Sequence, residues 1–205
     1  MNWGLTWIIG GGPSAGSLQR DRLQGGTVLA VNDSVFHVQA DAWFSLDHNY
    51  AREPLRRLQD WAGDKHVCVL PRAWHEETYH RPGITCWHRL YEDTPSFRPG
   101  CLASGSPGVP GCSGVVALNL AAQMGAKRIV LFGYDFHLPY SYFFSGVDPS
   151  RDDVPGILGY LERLAPWYAA HGIEILNANP ESGLHAFHKI SHEEAYSLAE
   201  SEVAA

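Results

Sequence analysis

Gly10-Gly11-Gly12-Pro13-Ser14 has the plainest chemical use in the chain. Consecutive glycines lack Cβ and accept positive φ, so their backbone N–H groups can come close to a phosphate. The spacing is not G-x-G-x-x-G, because position 15 is Ala15, and no G-K-[ST] follows to make a P-loop. A tight structural turn explains the run equally well. Asn32 offers an amide donor and acceptor, and Asn32-Asp33 also reads as an Asx turn. Asp47-His48-Asn49 puts a carboxylate, an imidazole and an amide in one turn, suited to a metal, a sugar or a base, or simply to capping a helix. Ser113-Gly114 opens an apolar helical run, where free N–H groups suit an anion and where a plain N-cap is also expected. Asp135-Phe136-His137 closes the set. An unperturbed imidazole titrates near ~6.5, which suits proton transfer at neutral pH. Asp47 and His48 are the rival base, since a carboxylate beside an imidazole can orient it.

Other chemistries lack their residues. His185 and His188 are three apart, yet no H-E-x-x-H, Cys/His finger or His-Cys-Cys deaminase set is present. Ser104-Gly105-Ser106-Pro107-Gly108 has the wrong spacing for a G-x-S-x-G elbow. Cys68, Cys86, Cys101 and Cys112 form no C-x-x-C pair, which reads as free thiols in a cytoplasmic protein. The 15 Lys+Arg against 22 Asp+Glu give a net charge of −7, opposite to the basic excess of a nucleic-acid binder. No apolar run approaches the ~20 residues of a membrane span. The first residues carry no basic leader, so no signal peptide is expected.

These clusters need elements to position them. Apolar runs predict strands at 5–9, 27–31, 42–46, 66–70, 84–88, 128–132 and 173–176. Three-residue spacing predicts helices at 52–61, at 114–124 behind a Ser113 cap, and at 157–170 with Pro166 kinking or interrupting the last. Gly125 is the expected stop of the second helix, and Ser191 to Glu194 is a capping box that opens a C-terminal one. Pro/Gly-rich stretches at 91–111 and 137–155 read as long loops covering the site, the second as a lid segment. Over 205 residues this is one domain, an α/β fold with a mostly parallel sheet flanked by helices. If the strands are parallel, Gly10–Ser14, Asn32–Ser34, Asp47–Asn49 and Asp135–His137 all gather at the carboxyl edge, where such sheets bind ligands.

Two segments carry a resemblance: Ile8 to Ser14 with Val28 to Asn32, and Ser113 to Ala121 with Gly125 to Phe136. They resemble the bacterial sialyltransferase-like superfamily, which has a Rossmann-type core. It includes motility-associated glycosyltransferases, relatives of 6-hydroxymethylpterin diphosphokinase and short phage-encoded members. The resemblance implies a donor phosphate loop at Gly11, Gly12, Pro13 and Ser14, and nucleotide contacts from Asn32, Ser113, Gly114 and Asp135. It places His137 and Tyr142 where the sialyltransferases have phosphate-binding tyrosines. The chain departs from the family in two places: 145–155 holds no histidine, and Pro110-Gly111-Cys112 stands where an arginine is usual.

The implied activity is glycosyl transfer from a nucleotide-sugar donor to an acceptor hydroxyl, without a required metal. Catalytic candidates are His137, Asp47 and His48. The family context adds a modified DNA base as one acceptor, with the host cytoplasm as location if the chain is phage-encoded. Two alternatives stay open. A diphosphate-transferring pterin kinase-like enzyme would need Mg²⁺ on Asp33, Asp47 and Asp135, although no Asp-x-Asp run is present. A non-catalytic nucleotide-binding protein would keep the glycine loop and lack a base.

Overall fold

The computed structural model describes residues 1–45, 57–58, 60–68, 84–87, 112–137, 143 and 154–204. Short apolar runs become strands buried on both faces: β1 (Leu5–Ile9), β2 (Thr27–Val31) and β3 (Ala42–Ser45). Four more follow the same logic or extend it: β4 (Asp64–Cys68), β5 (Ile84–Trp87), β6 (Arg128–Phe132) and β7 (Glu174–Asn177). β8 (His188–Lys189) is a two-residue edge strand that no sequence pattern announces. All neighbouring pairs are parallel, in an eight-stranded sheet of order β5-β4-β3-β2-β1-β6-β7-β8. The chain therefore lays strands outward from β1 to β5, returns, and lays β6 to β8 on the other side of β1. The order reverses between β1 and β6, and ligands bind at that kind of reversal.

Alternation along the strands feeds two cores. Ile8, Leu29, Ile129 and Leu131 face one layer, which holds α1 (Ser113–Gln123) and α2 (Val154–Ala170). Trp7, Ile9, Val28, Val130 and Phe132 face the other, with Tyr196 of α3 (His192–Ala204). Fully buried parallel strands read as continuous apolar runs for this reason.

Several details correct the sequence reading. Cys112, not Ser113, is the N-cap of α1, with no side-chain cap bond, and Ser113 is already helical. Cys112 is buried, so packing rather than capping chemistry sets this helix start. The stop holds: Gly125 has φ +97°, which glycine adopts without strain. α2 begins three residues earlier than expected and runs past Pro166 to Ala170. Its buried face of Ile157, Tyr160, Leu161, Leu164 and Tyr168 outweighs the roughly 3 kcal/mol that an internal proline costs. β4 starts at Asp64 rather than at position 66. The capping box is present: Ser191 N donates to Glu194 Oε2 at 2.7 Å, and Glu194 N donates to Ser191 Oγ at 3.2 Å. Most of the expected 52–61 helix, all of the 91–111 loop and most of 137–155 lie outside the described residues. No helix among the described residues is long and apolar enough to cross a membrane.

Candidate functional site

The glycine loop leaves β1 and zips onto the chain leaving β6. Gly10 N donates to Phe132 O at 2.8 Å and Gly12 N to Gly133 O at 2.9 Å. A Cβ on Gly12 would lie 2.6 Å from both Asp135 Oδ2 and Gly133 O. One on Gly10 would lie 2.8 Å from Gly133 O. The protein's own backbone thus already requires glycine at 10 and 12. Pro13 then starts a 3-10 turn over Pro13–Ser17, its fixed φ suiting the first position.

Asp135 clamps this loop. Its carboxylate accepts Ser14 N at 2.9 Å, the Ser14 hydroxyl, and Asn179 Nδ2 at 2.6 Å. Its side chain is a buried acceptor with both oxygens occupied, only 1% exposed. The residue expected to contact a nucleotide therefore faces inward and holds Ser14. Phe136 follows at φ +49°, turning the chain out so that His137 is exposed. His137 Nδ1 lies 3.3 Å from Asp135 O.

Two other predicted clusters join the loop. Ser34 Oγ donates to Gly10 O at 2.9 Å, tying the Asn32–Phe36 3-10 turn to β1. Asn32 itself has φ 54°. Its Oδ1 accepts Ser45 Oγ at 2.8 Å, and its carbonyl accepts Trp43 Nε1 at 2.9 Å. The Asx-type role predicted from sequence is thus filled by bonds to β3, from a left-handed conformation that asparagine tolerates. The start of α1 arrives through Tyr134, whose hydroxyl donates to Gly114 O at 2.9 Å. The Tyr134 ring also lies 3.1 Å from where a Gly10 Cβ would stand. Gly10, Gly12, Ser14, Ser34, Gly114 and Asp135 thus form one connected cluster at the strand reversal. Asp47, His48 and Tyr142 lie outside the described residues. Among the described residues no group of three or more His, Cys, Asp or Glu could hold a metal ion.

The sequence reading missed the fifth contributor, the turn after β7. Asn179 holds Asp135, and Ser182 Oγ donates to Tyr134 O at 2.6 Å. Gly183 N donates to Asp135 O at 2.7 Å. Asn177-Ala178-Asn179-Pro180 is a polar strand-end cluster like the others, so the same signal was available.

With this geometry in view, comparison with known proteins is informative. No family model and no curated protein sequence matches the chain. Solved structures do. The chain shares its fold with the sialyltransferase CstII from Campylobacter jejuni. The structure of CstII with the substrate analogue CMP-3FNeuAc aligns at TM-score 0.55 and 19% identity, covering 92% of this chain and 86% of that one. A second structure, of CST-II with a trisaccharide acceptor and CMP, aligns at TM-score 0.55 and 18% identity, over 91% and 86%. The α/β architecture expected from the residues is therefore shared with CstII across nearly the whole chain.

Two histidines in the fold titrate low. Burial pushes the His66 imidazole below its ordinary value, opposed by the Asp64 carboxylate. Burial does the same to His192, opposed by Asp135, the Ala178 carbonyl and Glu193. A lowered folded-state pKa gives stability that is complete above the unfolded value of ~6.5 and lost as pH falls through the folded values. Urea unfolding is therefore expected to show lower stability near pH ~5.5 than near ~7.5 from these groups. The His66→Gln variant should show a shallower dependence. An unchanged slope in that variant would remove His66 from the account.

Proposed function

We propose that the chain is a glycosyltransferase taking a sugar from a nucleotide-sugar donor, with the donor phosphate on the glycine loop. One observation carries the reading: the glycine loop, the segment after β6 and the amino end of α1 meet at the strand-order reversal. Gly10 N, Gly12 N and Ser14 N are bonded within the protein, so it is the amino end of α1 there that suits an anion. CstII, which shares the fold, has been solved with CMP-3FNeuAc and with CMP plus a trisaccharide acceptor. That supports a nucleotide-sugar donor and a hydroxyl acceptor. The net charge of −7 gives a nucleic-acid acceptor no electrostatic support.

In this reading the bond from the anomeric carbon to the leaving phosphate breaks as the acceptor oxygen attacks. The acceptor proton passes to His137. A carbonyl only accepts, so Nδ1–H donates to Asp135 O and the Nε2 lone pair is left for the acceptor's proton. Ser113 and Gly114 lie at the helix end that faces the leaving phosphate. Asp135 and Ser14 act behind the surface, holding the loop in place. Asn32, Asp47, His48 and Tyr142 complete the proposed pocket, and positions 137–155 its lid.

Calorimetry with CMP, UDP and GDP is expected to show binding of at least one. With an active donor and acceptor, His137→Ala is expected to lose about 10²–10⁴ in turnover at unchanged nucleotide affinity. Near-normal turnover in that variant would shift the base to Asp47 and His48. Binding of none of the three nucleotides would overturn the site.

A further inference from the structure

His192 opens α3 at the same sheet edge, and no step above uses it. Its ring lies edge-on to Phe132, centroids 5.0 Å apart, and to Tyr196, 6.1 Å apart. Its Nδ1 stands 3.4 Å from Ser17 Oγ. Ser17 Oγ also donates to Ser14 O at 3.2 Å. Ser14 is held by Asp135, and Asp135 by Asn179. The carbonyl of Ala178, next to Asn179, faces the His192 ring. The contacts close into a ring that runs Ser14, Ser17, His192, Ala178, Asn179, Asp135 and back to Ser14.

We propose that His192 is a positioning residue for the glycine loop: its protonation fixes the Ser17 hydroxyl on Ser14 and favours an anion on the loop. The proposal rests on the reading of that loop as a phosphate site. Ser17 has one hydroxyl proton and two acceptors, Ser14 O and a bare imidazole nitrogen. A neutral imidazole has one N–H to give, and Ala178 O and Ser17 Oγ both face the ring. The cation has two. It serves the carbonyl and the Ser17 oxygen together, which releases the Ser17 proton to Ser14 O. Protonation thus completes the polar ring and stiffens the loop from behind.

The surrounding charges set when this happens. Asp135 faces His192 from the end of β6, and Glu193 faces it from α3. Beyond the Tyr196 ring lies Arg22, 4.3 Å from that ring's centre and paired with Glu193 and Glu200. Burial outweighs the two carboxylates and the Ala178 carbonyl and holds the imidazole below its ordinary value. An anion on the loop adds negative charge and draws the proton on. Linkage is reciprocal, so proton uptake must strengthen anion binding by the same factor.

The test uses the full chain with labelled histidine, titrated by NMR alone and with 5′-methylphosphate diesters of cytidine, uridine and guanosine. These probes have no phosphate ionisation near neutral pH. Expected is a higher His192 pKa with a bound diester, and affinity that rises on acidification by up to about tenfold per pH unit. His192→Gln should bind with a flat pH profile. Without any probe, Ser14 amide exchange, corrected for intrinsic rate and for global unfolding measured at each pH, should slow on acidification in the wild type. It should not do so in Ser17→Ala, a substitution at an exposed position that spares the His192 ring. A His192→Gln variant that loses stability but keeps the wild-type pH slope overturns the proposal. So does Ser14 exchange that responds to pH alike in the wild type and Ser17→Ala. If no diester binds, the phosphate reading fails, while the exchange comparison still decides whether His192 acts on the loop.

Discussion

Gly12→Val is expected to abolish nucleotide binding and to destabilise the fold by about 3–5 kcal/mol. Two obstacles meet the new Cβ, each 2.6 Å away: the Asp135 carboxylate oxygen and the Gly133 carbonyl. Neither is the free end of a flexible chain. Gly133 O already accepts Gly12 N, and Asp135 Oδ2 already accepts Ser14 N. Moving either one breaks a bond that shapes the loop. Urea unfolding measures the first effect and calorimetry the second. Gly12→Ala carries the same Cβ without the two methyl groups, so it should retain most of the loss. If Gly12→Ala binds and unfolds like the wild type, the loop's fit against Asp135 is not what holds the site.

Asp135→Ala is expected to cost a similar amount, about 3–5 kcal/mol, and Asp135→Asn about 1–3 kcal/mol. The alanine leaves Ser14 N, Ser14 Oγ and Asn179 Nδ2 without their shared acceptor. The asparagine keeps the shape and one acceptor oxygen, but it turns an N–H group toward one of those donors. Both should weaken nucleotide binding through the loop, since the carboxylate is buried and faces away from solvent. Equal unfolding midpoints for the wild type and Asp135→Asn would show that the charge is dispensable.

β1, β2 and β6 were legible to the residue because buried parallel strands are uninterrupted apolar runs bounded by glycine or polar residues. β8 was not, because two residues carry no period. The α1 cap was misplaced by one residue because a serine beside a buried cysteine looks like a cap in sequence alone. The convergence of the glycine loop with Asn32–Ser34 and Asp135 followed from strand ends and parallel order. The inward orientation of Asp135 did not. It depends on Asn179, more than forty residues downstream, and a linear pattern does not pair such residues.

The order of the sheet also dictates a schedule. Thr6 in β1 pairs with Thr27 in β2 on one side, but its other edge waits for Ile129 in β6. At roughly 5–20 residues per second, a ribosome needs about 6–25 s to make the intervening chain. Through that interval the nascent polypeptide carries a growing half-sheet whose central, buried strand has one open side. Until β6 arrives and closes the centre, that open edge is a template for pairing with another chain.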